Sequence, residues 1–175
     1  VHQSAHGERA PGVPMTLDTV FDLASLTKSV ATSSSVMVLV QDGRLRLSDR
    51  VSAILPRFTG GEKEAVTVEQ LLLHTGGLAA ANHLDDYRDG PAEAIARICA
   101  RDLVAAPGEK FIYSDLGYIL LGEIVRAVTG EPLDRFSARR VHGPLGMGET
   151  SYGPLEGARL GRCAPTSPDG AGAGA

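Results

Sequence analysis

Ser25-Leu26-Thr27-Lys28-Ser29-Val30-Ala31-Thr32-Ser33-Ser34-Ser35-Val36-Met37-Val38-Leu39-Val40-Gln41 is the stretch on which the reading of this chain turns. Its pattern predicts a helix from near Ser25 to Gln41. Ala31, Val36, Met37, Leu39 and Val40 fill it, Ser33 to Ser35 let neighbours pack close, and Asp42-Gly43 supplies a turn and a C-cap. Residues three apart on a helix share a face, so the Ser25 hydroxyl and the Lys28 amine are able to meet. A serine is a poor nucleophile until something takes its proton. A lysine takes it only when neutral, which requires burial or a nearby positive charge. A helix N-terminus adds backbone N–H groups and a positive dipole where an oxyanion forms. The plainer alternative is an N-capping serine followed by a surface lysine. With twelve serines and three lysines in 175 residues, a chance Ser-x-x-Lys arises about 0.2 times, so the tetrapeptide alone does not decide.

On either side the chain is mostly helical in pattern. Residues 7–14 hold two prolines and two glycines and read as a loop, with weak alternation before them that suits a strand end. Leu45 and Leu47 alternate with polar residues, as in a short strand or an extended link, ahead of a small helix from Val51 to Leu55 stopped by Pro56. Thr67 and Gln70 form a capping box for a helix from Val68 to Leu73, and His74-Thr75-Gly76-Gly77-Leu78 ends it. Pro91 opens a helix to about Val104. Leu116, Ile119, Leu120, Ile124 and Val128 have helical spacing and define a helix from Asp115 to Val128. Another spans Leu133 to Val141. Regular strand content is low.

Composition narrows the classes. Hydrophobic residues make up 43% and charged residues 22%, with a formal net charge of −4. A sizeable core is affordable, and no basic footprint for nucleic acid exists. No apolar run is long enough to span a bilayer. Cys99 and Cys163 make neither a disulfide framework nor a zinc site, and Cys99, among Ile95, Ile98 and Leu103, is expected to be buried. His2, His6, His83 and His142 lack metal-ligand spacing and read as ordinary surface or interface histidines. Both ends read as cut, with no signal peptide before Val1. The expected organisation is one domain over residues 1–162 and a disordered Gly/Ala-rich tail over 163–175.

Tyr113-Ser114-Asp115 stands at a loop-to-helix junction after Pro107-Gly108. A tyrosine there can carry a proton between Lys28, Ser25 and a leaving group. The alternative is an amphipathic core tyrosine beside an N-capping Asp115.

Four segments in order carry a resemblance: Phe21-Asp22-Leu23-Ala24-Ser25-Leu26-Thr27-Lys28, Leu72-Leu73-His74-Thr75-Gly76-Gly77-Leu78, Pro107 to Tyr118, and Pro144-Leu145-Gly146-Met147. Across residues 15 to 153 the chain resembles the serine β-lactamase and penicillin-binding protein superfamily, in its class C β-lactamase-like esterase and D,D-peptidase group. The resemblance implies an α+β, β-lactamase/transpeptidase-like fold: a mixed sheet flanked by helices plus a helical domain. This chain would hold the nucleophile helix and most of the helical domain, without most of the sheet. Ser25 would be acylated, Lys28 would be the general base, and Tyr113 would open the Tyr-x-Asn element. Asp115 stands where that element has Asn, a site-lining carboxylate that favours a charged Lys28. The family's third element, Lys-Thr-Gly or His-x-Gly, is expected beyond Ala175, because His74-Thr75-Gly76 sits in the place of a helix-end loop and reads as turn chemistry.

The implied reaction is acyl transfer to Ser25 followed by hydrolysis of an ester or amide, with β-lactams and D-Ala peptides as candidate substrates. It needs no cofactor and no metal. The implied partner is a small-molecule or peptide substrate. A non-turnover penicillin- or peptidoglycan-binding sensor, or an inactive truncated homologue, is the alternative.

Overall fold

The computed structural model describes residues 2–81 and 83–166. Of the tail expected over residues 163–175, the part from residue 167 onward lies outside the described residues. The chain divides into two compact units, Val1–Leu26 with the chain from Tyr152 onward, and Thr27–Ser151.

In the first unit, residues 7–14 are not a plain loop. They form an antiparallel hairpin of β1 (Glu8–Ala10) and β2 (Val13–Pro14). Gly12, at φ 71°, takes the left-handed turn position, and its N–H donates to the Glu8 carboxylate at 3.0 Å. The turn chemistry of Pro11-Gly12 signalled the reversal, but two such short strands leave no period to read. Val20 donates its N–H to Arg162 O and accepts from the Ala164 N–H. This backbone pairing carries the bonded chain two residues past the expected boundary at 162.

The second unit is built on helices. The predicted nucleophile helix opens as a π-helical stretch, Lys28–Ser33, and continues as α1 (Ser34–Gln41). The segment from Arg44 to Asp49 is neither a strand nor an extended link throughout: Arg46 to Asp49 closes a turn, Asp49 N–H on Arg46 O at 3.1 Å and Arg46 N–H on Asp49 Oδ2 at 2.8 Å, and Leu47 O and Asp49 O accept from the Glu69 and Val68 amides. The chain continues through α2 (Val51–Ile54) and α3 (Val68–Leu72). Both halves of the capping box are present: Gln70 N–H donates to Thr67 Oγ1 at 3.2 Å and Thr67 N–H to Gln70 Oε1 at 3.0 Å. Helix α4 (Pro91–Ala100) stops four residues short of expectation, because Arg101 turns extended and Val104 N–H bonds instead to Gly77 O. Helix α5 (Asp115–Thr129) is capped by Ser114, not Asp115: the Ser114 hydroxyl accepts from Gly117 N–H at 3.2 Å. The predicted Leu133–Val141 helix is α6 (Leu133–Ser137) followed by a π-helical turn, Ala138–His142.

The core of this unit gathers on α5. Leu116, Leu120, Leu121, Ile124 and Val125 are fully buried, with Val36 and Leu39 from α1, Leu71 from α3, Ile98 from α4 and Phe136 from α6. Cys99 is buried as expected. His142 is a correction: it is buried, and its Nε2 has no hydrogen-bond partner. The low strand content follows from the sequence, which devotes its strongest periodicities to helices. Among the described residues no helix is long and apolar enough to cross a membrane.

Candidate active site

Ser25 belongs to the first unit. It sits exposed in a tight turn closed by the Leu26 N–H bonding to Leu23 O at 2.8 Å. The residue before it, Ala24, is held at φ 42° with its N–H on Asp22 Oδ1 at 2.8 Å. Left-handed backbone at a non-glycine residue costs of order 1–3 kcal/mol and collects at functional sites. Only two non-glycine residues in the described chain have positive φ, Ala24 and His74. One adjoins Ser25; the other lies against the tyrosine described next.

In the second unit, Lys28, Tyr113 and Asp115 come together across more than eighty residues of chain. Lys28 Nζ is 2.6 Å from Asp115 Oδ1, and it lies 4.7 Å from the centre of the Tyr113 ring. The lysine side chain is 15% exposed and the aspartate 53%, so the ammonium is largely withdrawn from water while its counter-ion faces it. Burial pulls the Lys28 pKa down, but hydrogen bonds and charge from Asp115 and Tyr113 outweigh it, leaving the amine above the ordinary lysine value. Lys28 is therefore a charged ammonium at neutral pH in this arrangement. It opens the π-helical stretch, a widened turn often found at functional positions.

Two residues that sequence reasoning did not assign to chemistry stand beside this group. The His74 ring is 4.5 Å, centre to centre, from that of Tyr113 and 4.9 Å from that of Tyr118. Its Nδ1 accepts from the Ser114 N–H at 2.9 Å. Burial, then the Lys28 charge, hold its pKa below the usual histidine value, against the opposing pull of Asp115. The Tyr118 ring is 5.8 Å from Lys28 Nζ. Its hydroxyl donates to Leu72 O and is also 3.1 Å from Ser33 Oγ, tying α5 to the end of α3 and to the π-helical stretch. The available signal for Tyr118 was its position one turn after Asp115 on the same helix face. His74 had only its three-letter likeness to a site motif, which its place at a helix end argued against.

The loops carrying these groups are laced together by main chain. Ile112 N–H bonds to His74 O, Gly108 N–H to Thr75 O, Val104 N–H to Gly77 O and Asp115 N–H to Ala80 O. Gly77, at φ 79°, is required here: a Cβ would stand 2.2 Å from Ala105 O.

Comparisons with known proteins bear on the family and the fold. The chain is 35% identical over 156 residues to a protein of Escherichia coli (strain K12) provisionally named a D-alanyl-D-alanine carboxypeptidase, covering 82% of this chain and 36% of that protein. Among solved structures, a penicillin-binding protein homologue from Caulobacter crescentus superposes with a TM-score of 0.76 at 28% identity, covering 92% of this chain and 45% of that one. A family VIII carboxylesterase superposes with a TM-score of 0.78 at 28% identity, covering 91% and 45%. The chain thus spans less than half the length of these relatives, and its helix-rich architecture is that part of the β-lactamase and penicillin-binding protein fold. The beta-lactamase family model matches residues 1–172, and the chain belongs to that family.

Proposed function

We propose that this chain supplies the nucleophile and the proton-handling groups of a serine hydrolase that acts on an ester or amide through an acyl-enzyme on Ser25. The observation that carries this reading is the Tyr113 ring lying 4.7 Å from Lys28 Nζ. A phenol and an amine drawn from distant segments share one small volume, three residues along the chain from an exposed serine preceded by left-handed backbone. The names of the relatives, a carboxypeptidase and a carboxylesterase, support the same class of reaction. Because the chain spans only part of each, the activity is proposed of the protein in which it works and not of these residues in isolation.

In the proposed reaction the Ser25 hydroxyl gives up its proton as Oγ bonds to the substrate carbonyl carbon. Lys28 is the general base and Tyr113 the relay that passes the proton to the leaving alcohol or amine as the carbonyl–leaving-group bond breaks. Water then adds to the acyl-serine, and the Ser25–acyl bond breaks with return of a proton to Oγ. The Lys28–Asp115 ion pair sets a condition on the first step: the Lys28 ammonium must first give one proton to a Tyr113 phenolate or to water before its amine can take the proton of Ser25. Incubation with a p-nitrophenyl ester should give a burst of nitrophenol and then steady turnover, with the acyl group on Ser25 by mass spectrometry. Ser25→Ala should abolish the burst and the adduct; an adduct that persists in that variant rejects the assignment.

The same ion pair favours one second reading, a penicillin- or peptidoglycan-binding sensor that is acylated without turnover. A charged Lys28 slows both acylation and the activation of water. Fluorescent penicillin retained on Ser25 with no steady phase would select it.

A further inference from the structure

We propose that His74 is a positioning residue, one that clips the backbone on both sides of Tyr113 and stacks on its ring so that the phenol stays in register with Lys28. The inference rests on the hydrolase reading above.

His74 O accepts from the Ile112 N–H at 2.8 Å, and His74 Nδ1 accepts from the Ser114 N–H at 2.9 Å. The two donors are the main-chain amides on either side of Tyr113. One residue therefore engages the flanking amides through its carbonyl and its ring, as a neighbouring strand would through two carbonyls. The backbone at His74 is left-handed, at φ 59°, and from it both the carbonyl and the ring meet the segment that carries Tyr113. A right-handed or extended conformation would aim the side chain elsewhere. The imidazole then lies 4.5 Å from the Tyr113 ring centre with its plane tilted by 33°, a stacked arrangement. Phe111 closes a further side edge-on at 5.7 Å.

The bond to Ser114 also fixes the tautomer. A backbone N–H is a donor only, so Nδ1 carries a lone pair and the neutral ring has its proton on Nε2. The charged groups near the ring are Lys28 and Asp115; burial first, and then the Lys28 ammonium, hold the imidazole pKa below the usual histidine value against the pull of Asp115, the direction the clip requires. A second proton at Nδ1 would set N–H against N–H and open it.

The test has two arms. In the unmodified protein, nitrogen-15 NMR of the imidazole at neutral pH should show a proton on Nε2 and a bare Nδ1 coupled through the hydrogen bond to the Ser114 amide. A ring protonated on Nδ1 overturns the proposal. In the second arm, the rate of acyl-Ser25 formation from a p-nitrophenyl ester is measured for His74→Gly and His74→Asn. Glycine relieves the left-handed backbone but removes acceptor and ring, and acylation should fall by roughly 10²-fold, the usual effect of misplacing a catalytic group by about 1 Å. Asparagine tolerates the same backbone and offers Oδ1 near the place of Nδ1, so it should recover a substantial part of that loss. A glycine variant as fast as the unmodified protein, or a folded asparagine variant no faster than the glycine one, overturns the positioning role. Absence of acyl-Ser25 in the unmodified protein would instead bring down the hydrolase reading and this role together; acylation with an Nδ1-protonated ring removes this role alone.

Discussion

A lysine serves as a base only after losing its proton, and Lys28 is held back from doing so by one neighbour. Burial favours the neutral amine, yet the Asp115 carboxylate at 2.6 Å and the Tyr113 hydroxyl reverse the balance. Replacing Asp115 with Asn removes the negative charge and keeps a residue of the same shape. The Lys28 pKa then falls. Because activity rises as Lys28 deprotonates, the ascending limb of the rate–pH profile should move to lower pH in Asp115→Asn, which an ester-hydrolysis profile measures directly. The spacing of Ser25 and Lys28 was legible from the sequence because both lie on one short stretch of chain. The stacking of His74 on Tyr113 was not. It depends on a left-handed residue whose letters, His-Thr-Gly-Gly, are equally those of an ordinary turn.

Elements in this chain are legible where a local rule dictates them. The Thr67–Gln70 box formed on both sides because its two hydrogen bonds need only four residues. The long apolar period of α5 announced itself in the same way. Ends set by distant partners were missed. Helix α4 gives out where Val104 bonds to Gly77 O, and no residue in or next to α4 encodes that partner. The same contact makes Gly77 the most demanding position of the loop. Gly77→Ala meets both a left-handed φ and a Cβ 2.2 Å from the Ala105 carbonyl oxygen. It should cost at least about 2 kcal/mol of stability, seen as a lowered thermal or urea midpoint. By comparison, Gly60, also at positive φ, has open space around it, and alanine there bears only the backbone strain.

Across the second unit, stability is distributed around α5, which α1, α3, α4 and α6 cover with fully buried side chains. Amides of Leu120 through Val125 should therefore be the slowest to exchange with deuterium, opening only with that unit as a whole, while those of residues 83–90 exchange early. Exchange of the α5 amides as fast as those near Arg88 would show that the core is arranged otherwise. The two loops that carry His74 and Tyr113 are separated in sequence by that early-opening stretch, yet they are stitched to each other by Ile112 on His74, Gly108 on Thr75, Val104 on Gly77 and Asp115 on Ala80. Covalent continuity between them is thus dispensable once the unit has folded. A protease cut after the exposed Arg88 should leave two pieces that stay joined without a peptide link, each still carrying one of the two stitched loops.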